Sequence, residues 1–275
     1  MLVADAPAIW LPPAPAIIRP ADDRLLKPSF WPASRLERRA ALKELVATGR
    51  ISREQARETF VWFAPGFFFV PKNPASFVVG GTLAYTSGAT NTWTNVSIGP
   101  ADAGRYVVVG LGRLASSGAA APTSLTIGGV AATRIGFSQA TNAGVVFFIA
   151  LVPTGTTATI VLSNPSSAQP TGGVWAVYDL LSPIPTTAMI YDSSSPYSQS
   201  ITIQPGGVAF GAILWSSGKR TTTWTGLVES FEDTSGAQTA GSGAALASTS
   251  GATVTAVASP SGSTTYGAMG VLALR

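Results

Sequence analysis

The chain has 275 residues, enough for one large domain or two small ones, and a formal net charge of +4. It has no cysteine and no histidine. This excludes disulfides and thiolate metal sites, and it removes the commonest general base and zinc ligand. Charged residues make up 11% of the chain, less than half of the usual share of about 25%.

The few charges are unevenly distributed, and their distribution divides the chain. Residues 1–76 hold 11 Lys/Arg and 7 Asp/Glu, whereas residues 77–275 hold 6 of each. We therefore predict an N-terminal arm over residues 1–76 and a separate, electrically neutral domain over residues 77–275. No dense basic stripe is present, so we expect no nucleic-acid partner.

The first part of the arm, residues 1–33, is rich in proline, which favours extended backbone over helix. It also carries apolar side chains that an extended chain cannot bury against itself. We expect them to lie on the surface of another protein, or alternatively on the chain's own β domain. The predicted anchoring residues here are Ile9, Trp10, Ile17, Ile18, Arg19, Leu25, Leu26, Phe30 and Trp31.

A short helical hairpin is predicted over residues 34–60. Ser34 and Glu37 form a capping-box pattern, Gly49 is typical of a helix C-terminus, and Ser52 with Gln55 offers a second cap. Two helices this short need a partner surface. Acidic residues interleave with the basic ones, which indicates a solvated face.

The arm ends in an aromatic segment over residues 60–74, with six aromatic side chains in residues 60–69. This composition predicts either a plug for the base of the β domain or a docking segment, and the sequence leaves both open. The predicted anchoring residues of this segment are Trp62, Phe63, Phe67, Phe68 and Phe69.

No segment of the sequence looks like a leader or a membrane span. Residues 1–20 lack the basic start and uninterrupted apolar run of a signal peptide. The longest apolar stretch, residues 143–152, is too short to cross a bilayer. We expect no membrane insertion.

From residue 77 onward, strand-like runs recur about every 10–12 residues with turn residues between them. This spacing predicts an all-β fold, an antiparallel jelly-roll-like β-sandwich of residues 77–275. Two sandwiches split near residues 182–185 are the alternative. The clearest predicted strands are residues 106–111, 124–127, 145–152, 158–162, 174–180, 200–203, 208–214, 222–229, 253–258 and 266–274.

Residues 125–131 and 201–209 resemble each other, since each reads as a strand, a Gly-Gly turn and a second strand. Hairpin chemistry explains this likeness, and we infer no repeat from it.

Catalytic motifs are missing from the sequence. It contains no nucleophile elbow and no phosphate-binding glycine loop, and Gly241 and Gly243 are interpreted as lying between strands. The remaining option is the carboxylate run of Glu229, Glu232 and Asp233. Two carboxylates about 5–10 Å apart hydrolyse glycosides, but exposed strand-end charges are the favoured interpretation. We expect no enzymatic activity, no cofactor and no metal.

A predicted hairpin tip is the candidate site for glycan contact. Trp215 and Trp224 flank it, and Lys219 and Arg220 lie within it. Exposed rings stack on the C–H faces of sugars. Core packing of both rings is the alternative.

Several segments resemble virion-associated structural proteins of tailed bacteriophages and prophages. They are Pro15-Ala-Ile-Ile-Arg-Pro20, Pro65-Gly-Phe-Phe-Phe69, residues 95–109, residues 124–133 and residues 152–161. The resemblance implies a capsid-decoration, head-fibre or tail-associated protein, assembled in the bacterial cytoplasm and anchored by its arm. Its partners would be the major capsid protein or neck and tail components, together with further copies of the chain. The alternative is a tail-associated receptor-binding protein that recognises host surface glycans.

Overall fold

The computed structural model describes residues 73–114, 121–139, 142–192, 197–216, 221–236, 239–262 and 266–275. Asn73–Arg275 form one compact unit. The helical hairpin and all the anchoring residues predicted for the arm lie outside the described residues, so they stay predictions.

All the regular secondary structure of the described residues is β-strand. The strands are β1 (Ser76–Leu83), β2 (Gly88–Ser97), β3 (Tyr106–Leu114), β4 (Ser124–Ile127), β5 (Val130–Ala131), β6 (Thr133–Gln139), β7 (Ala143–Leu151), β8 (Thr157–Tyr178), β9 (Thr187–Asp192), β10 (Tyr197–Ile203), β11 (Gly207–Ser216), β12 (Thr222–Thr225), β13 (Val228–Asp233), β14 (Thr239–Ser248), β15 (Ala252–Pro260) and β16 (Tyr266–Leu274). The pairings between them are antiparallel. The prediction of an all-β, antiparallel fold is confirmed.

The first sandwich extends from β1 to β8. One sheet has the order β1–β8–β3–β7–β6, and the other has the order β2–β8–β4–β5. The 22-residue strand β8 belongs to both sheets. Its first part pairs with β2 and β4, and its last part pairs with β1 and β3.

The second sandwich extends from β9 to β16. Its larger sheet has the order β9–β16–β11–β14–β13, and its smaller sheet has the order β10–β15–β12. The chain passes from the first sandwich to the second through residues 179–186. The strand pairings group as in the alternative of two sandwiches split near residues 182–185, within the one compact unit.

The two sandwiches have the same topology. The strands β1, β2, β3, β4, β6 and β7 match β9, β10, β11, β12, β13 and β14, and the two halves of β8 match β15 and β16. Every pairing among these strands is reproduced, and β5 is the one described strand without a counterpart. Matching bulges follow Arg134 in β6 and Glu229 in β13. The described domain is thus an internal duplication.

The duplication is visible in the sequence once the strands are aligned. The chain leads into β8 with Gly155-Thr-Thr-Ala-Thr-Ile-Val161 and into β15 with Gly251-Ala-Thr-Val-Thr-Ala-Val257. Both glycines have positive φ, 73° and 82°, as glycine permits in a tight turn. The similar segments 125–131 and 201–209 are not equivalent in the duplication, because the first is the hairpin β4–β5 and the second connects β10 to β11 in different sheets.

The four sheets stack as four layers with three apolar cores. One core fills each sandwich, and a third lies between the two five-stranded sheets. Strands β3, β7, β11 and β16 are buried along nearly their whole length because both of their faces are covered.

The contacts across the central core are reciprocal. Strand β3 faces its own equivalent, β11. Strand β7 contacts β16, and the equivalent pair, β14 and β8, are also in contact. In the same way β6 contacts β9, and its equivalent β13 contacts β1. This is the pattern of a two-fold, self-complementary interface, here formed within one chain. An aromatic cluster from both sandwiches lies in it, with the Trp175 ring 5.1 Å from that of Phe210 and 5.3 Å from that of Phe231.

Candidate interaction surfaces

The two tryptophans of the predicted glycan site are core residues. Trp215 is 0% exposed and Trp224 is 8% exposed, and both belong to the core of the second sandwich. The Trp224 indole N–H donates to Ser242 Oγ at 2.8 Å. Neither ring offers a free face to a sugar, so the stacking prediction fails for both. Lys219 and Arg220 lie outside the described residues.

The carboxylates of β13 do not converge on a common space. A bulge between Glu229 and Phe231 changes the alternation of the strand, so that Phe231 and Asp233 are buried and Glu229 is exposed. Glu232 accepts a hydrogen bond from the Thr222 backbone N–H. Burial and the neighbouring Glu232 raise the pKa of Glu229.

Asp233 joins the two sandwiches. Its carboxylate accepts hydrogen bonds from the Tyr85 N–H at 2.6 Å, the Thr171 hydroxyl at 2.6 Å and the Ser235 N–H at 2.9 Å. Burial alone would raise its pKa, but the hydrogen bonds from Ser235, Thr171 and Tyr85 outweigh burial and hold the pKa below its usual value. Its neighbours give this carboxylate a structural role.

The described chain, beginning at Asn73, enters the domain at the end where β1 and β3 begin and β8 and β16 end. We call this the arm-entry end. The Ala75 N–H donates to Gly206 O at 2.8 Å, and the Ser182 N–H donates to Arg275 O at 2.9 Å. Both sandwiches therefore contribute to this end. Asp233, Tyr85 and Thr171 lie toward the opposite, distal end.

Arg105 fixes the loops of the first sandwich at the arm-entry end. Its guanidinium is 0% exposed and donates only to backbone carbonyl oxygens among the described residues. They belong to Val152 at 2.8 Å, Gly99 at 2.7 Å, Pro100 at 2.7 Å, Gly155 at 2.9 Å and Thr154 at 2.8 Å. These five bonds tie the β2–β3 connection to the β7–β8 connection.

Large apolar side chains are exposed mainly toward the arm-entry end. Ile184 and Val228 are the most exposed, at 72% and 66%. The others on this side are Val78, Val79, Val130, Leu151 and Leu181, and only Tyr266 among the described exposed large apolar residues lies at the distal end. Concentrated exposed apolar side chains mark interaction surfaces.

A groove of about 500 Å³ opens on the side of the first sandwich, between β4–β5 and β6–β7. We call it the Arg134 groove. Pro122, Leu125 and Phe148 are its buried members, and Ser124 and Thr126 contribute hydroxyl groups. Arg134 from β6 is exposed, and its Nη1 donates to Pro122 O at 3.4 Å. Residue periodicity did not single out this groove, because its wall is formed by strands of two different sheets, whose side chains come together only in the folded sandwich.

No protein-family model, no curated protein and no solved structure matches this chain. The described residues contain no helix long and apolar enough to cross a membrane. They also contain no cluster of three or more acidic side chains that would hold a metal ion.

Proposed function

We propose that the protein is a bacteriophage virion structural protein of the capsid-decoration or head-fibre type. Residues 1–76 anchor it to the particle, and the β domain projects outward. The observation that carries the proposal is the coincidence of two features at one end of the domain: the described chain enters there, and Leu151, Leu181 and Ile184 are exposed in or beside the connections at that end. A surface of this kind is covered in an assembly.

The domain suits a projecting structural role. Its two sandwiches share a central core, and Arg105 and Asp233 fix the connections at the two ends. The finer parts of the proposal are a jelly-roll-like strand arrangement, an extended segment over residues 1–33, a helical hairpin over 34–60 and an aromatic docking segment over 60–74. The proposed partners are capsid, neck or tail proteins and further copies of the chain.

The second candidate function is recognition of host surface glycans by a tail-associated protein. The buried Trp215 and Trp224 no longer support it. The Arg134 groove does, because it combines hydroxyl groups, apolar side chains and a cation. In this reading the arm anchors the protein in the same way, and the β domain contacts the host.

Deletion of residues 1–72 tests the anchoring role, because the compact unit begins at Asn73. We expect the truncated chain to stay folded but to be lost from purified particles, as measured by quantitative mass spectrometry. A variant with Ile17, Ile18 and Trp31 changed to serine should also be lost, whereas the conservative surface variant Thr92→Ser should assemble normally. Undiminished incorporation of the truncated chain would contradict the proposal.

A further inference from the structure

The Arg134 groove holds the one exposed cation of the described residues. The other described cations are Arg105 and Arg113, which are 0% exposed, and Arg275, which is half-buried. Burial lowers the pKa of Arg113 to about 10, so this side chain is still charged at neutral pH. Its charge is buried inside the first sandwich. Among the described residues, Arg134 is therefore the guanidinium that a dissolved anion can reach most easily.

The Arg134 side chain is held in place by neighbours on both sides. Its guanidinium carbon lies 5.8 Å from the centroid of the Phe137 ring, within the range of a cation–π contact. The hydrogen bond to Pro122 O uses one of its five N–H donors. A guanidinium oriented in this way binds a carboxylate through two parallel hydrogen bonds.

The remaining walls narrow the class of ligand. Ser124 and Thr126 supply hydroxyl groups, and Ala131 and Ala132 supply small apolar side chains. Phosphate-rich partners such as nucleic acids are bound by several cations, and this groove has one. Its volume lies within the range of small-ligand sites. The combination suits a ligand with one carboxylate among hydroxyl groups and C–H faces.

We infer that the Arg134 groove binds a carboxylated sugar residue of an acidic polysaccharide, with Arg134 pairing to the carboxylate. The hydroxyl groups of Ser124 and Thr126 pair with sugar hydroxyls, and the alanines contact the C–H face of the ring. This site goes beyond the anchoring role proposed for the arm and does not depend on it.

The internal duplication supplies a comparison within the same molecule. The residue that precedes the matching bulge in β13 is Glu229, so the cation of the first sandwich is replaced by an anion in the second. A second anion, Glu232, lies near enough to raise the Glu229 pKa. The duplication therefore preserves the strands but not the charge at this position, and we expect no carboxylate pairing at Glu229, the counterpart of Arg134.

Calorimetric titration of the full chain tests the inference, with tetragalacturonate as the probe and its fully methyl-esterified form as the neutral counterpart. We expect the acid to bind at least about tenfold more tightly than the ester, which is the loss expected for a charge-assisted bidentate pair. The variant Arg134→Gln should bind the acid more weakly than the unmodified chain by about the same factor. Arg134→Lys should recover only part of it, because an ammonium lacks the planar fork.

Two further variants separate the groove from general surface effects. Ala131→Trp fills the groove from an exposed position and should abolish binding while the melting curve stays unchanged. Glu229→Gln, the matched change in the second sandwich, should bind like the unmodified chain.

Three results would overturn the inference. The first is the absence of binding to the uronate at millimolar concentration. The second is equal binding by Arg134→Gln and the unmodified chain. The third is tighter binding of inorganic phosphate or of a glutamate-rich peptide than of the uronate, which would assign the groove to another class of ligand.

Discussion

Single polar side chains connect distant parts of this domain, and Arg105 and Asp233 are the clearest cases. Each is buried, and each satisfies its charge with hydrogen bonds from or to several segments. Their sequence contexts gave no sign of this, because Arg105 follows a turn and Asp233 ends an acidic run. A buried charge depends on partners that only the fold brings together.

Removal of the Arg105 guanidinium should destabilise the first sandwich strongly. Arg105→Gln leaves several buried carbonyl oxygens without a donor, and we expect a loss of about 3–5 kcal/mol, the range seen when one partner of a buried charged network is removed. The free energy of unfolding in urea measures it. Arg134→Gln, at an exposed site, is the control and should change stability by less than about 0.5 kcal/mol. Equal stability of the two variants would contradict the structural role of Arg105.

The lowered pKa of Asp233 predicts a pH dependence of stability. A carboxylate whose folded-state pKa lies below its unfolded-state pKa contributes stability above the unfolded value, near pH 3.9, and this contribution is lost as the pH falls through the folded value. Asp233→Asn should therefore cost about 1–3 kcal/mol at pH 7, and the difference from the unmodified chain should shrink below about pH 4.

Urea unfolding curves at pH 7 and at acidic pH measure this effect. Asp102→Asn is the control, since Asp102 is exposed and its side chain accepts a hydrogen bond only from the nearby Gly104 N–H among the described residues. A difference that stays constant with pH would show that the Asp233 charge does not stabilise the fold.

At the scale of elements, the strands with large apolar residues were predictable and those built of small residues were not. The strand predicted over residues 208–214 lies within β11, and the one predicted over 124–127 coincides with β4. Residues 241–243 were interpreted as lying between strands, yet they lie inside β14, between β13 and β11 in the sheet. A side chain on Gly243 would strike the Phe231 ring, so this glycine reflects close packing rather than a turn.

The duplication escaped the sequence for a related physical reason. At equivalent positions the exposure and the neighbouring strands are preserved, but the size of the side chain is not. Phe148 lies opposite Arg134 in the first sandwich, whereas Ala244 lies opposite Glu229 in the second. The Arg134 groove could not be predicted either, because its members become neighbours only through pairing between β4, β5, β6 and β7. Trp224 is buried by the alternation of β12, whereas Trp215 is buried because both faces of β11 are covered.

The close approach of β3 to β11 predicts that Gly112 is required at the centre of the domain. A Cβ at this position would overlap the Leu214 side chain of the facing sheet. Gly112→Ala should cost about 1–3 kcal/mol through overpacking, as measured by thermal and urea unfolding. Gly104→Ala is the matched control, because its nearest non-local atom would be the Asp102 carboxylate oxygen at 3.4 Å. A neutral effect of Gly112→Ala would show that the two sheets separate easily.

At the scale of the whole molecule, the domain is organised like a two-fold dimer joined into one chain. The two five-stranded sheets bury one face in their own sandwich and the other against each other. Each half therefore needs the other, just as the subunits of an obligate dimer do. The connection over residues 179–186 keeps the halves together, and the described chain begins at Asn73 and ends at Arg275 at the same end of the domain.

This shared core predicts that the two sandwiches unfold together and do not survive apart. In urea, tryptophan fluorescence and far-UV circular dichroism of residues 73–275 should report one coincident transition. Residues 73–186 and 187–275, expressed separately, should aggregate or dimerise, because each exposes one apolar face of the central core, including Trp175 in the first half and Phe210 in the second. Mixed during refolding, they should form a complex of the size of the intact domain, as measured by size-exclusion chromatography with light scattering.

Phe231→Asp, which places a charge in the central core, should prevent this complex, whereas Thr92→Ser on the outer surface should not. Two stable monomeric halves with separate transitions would mean that the central core adds little to the fold.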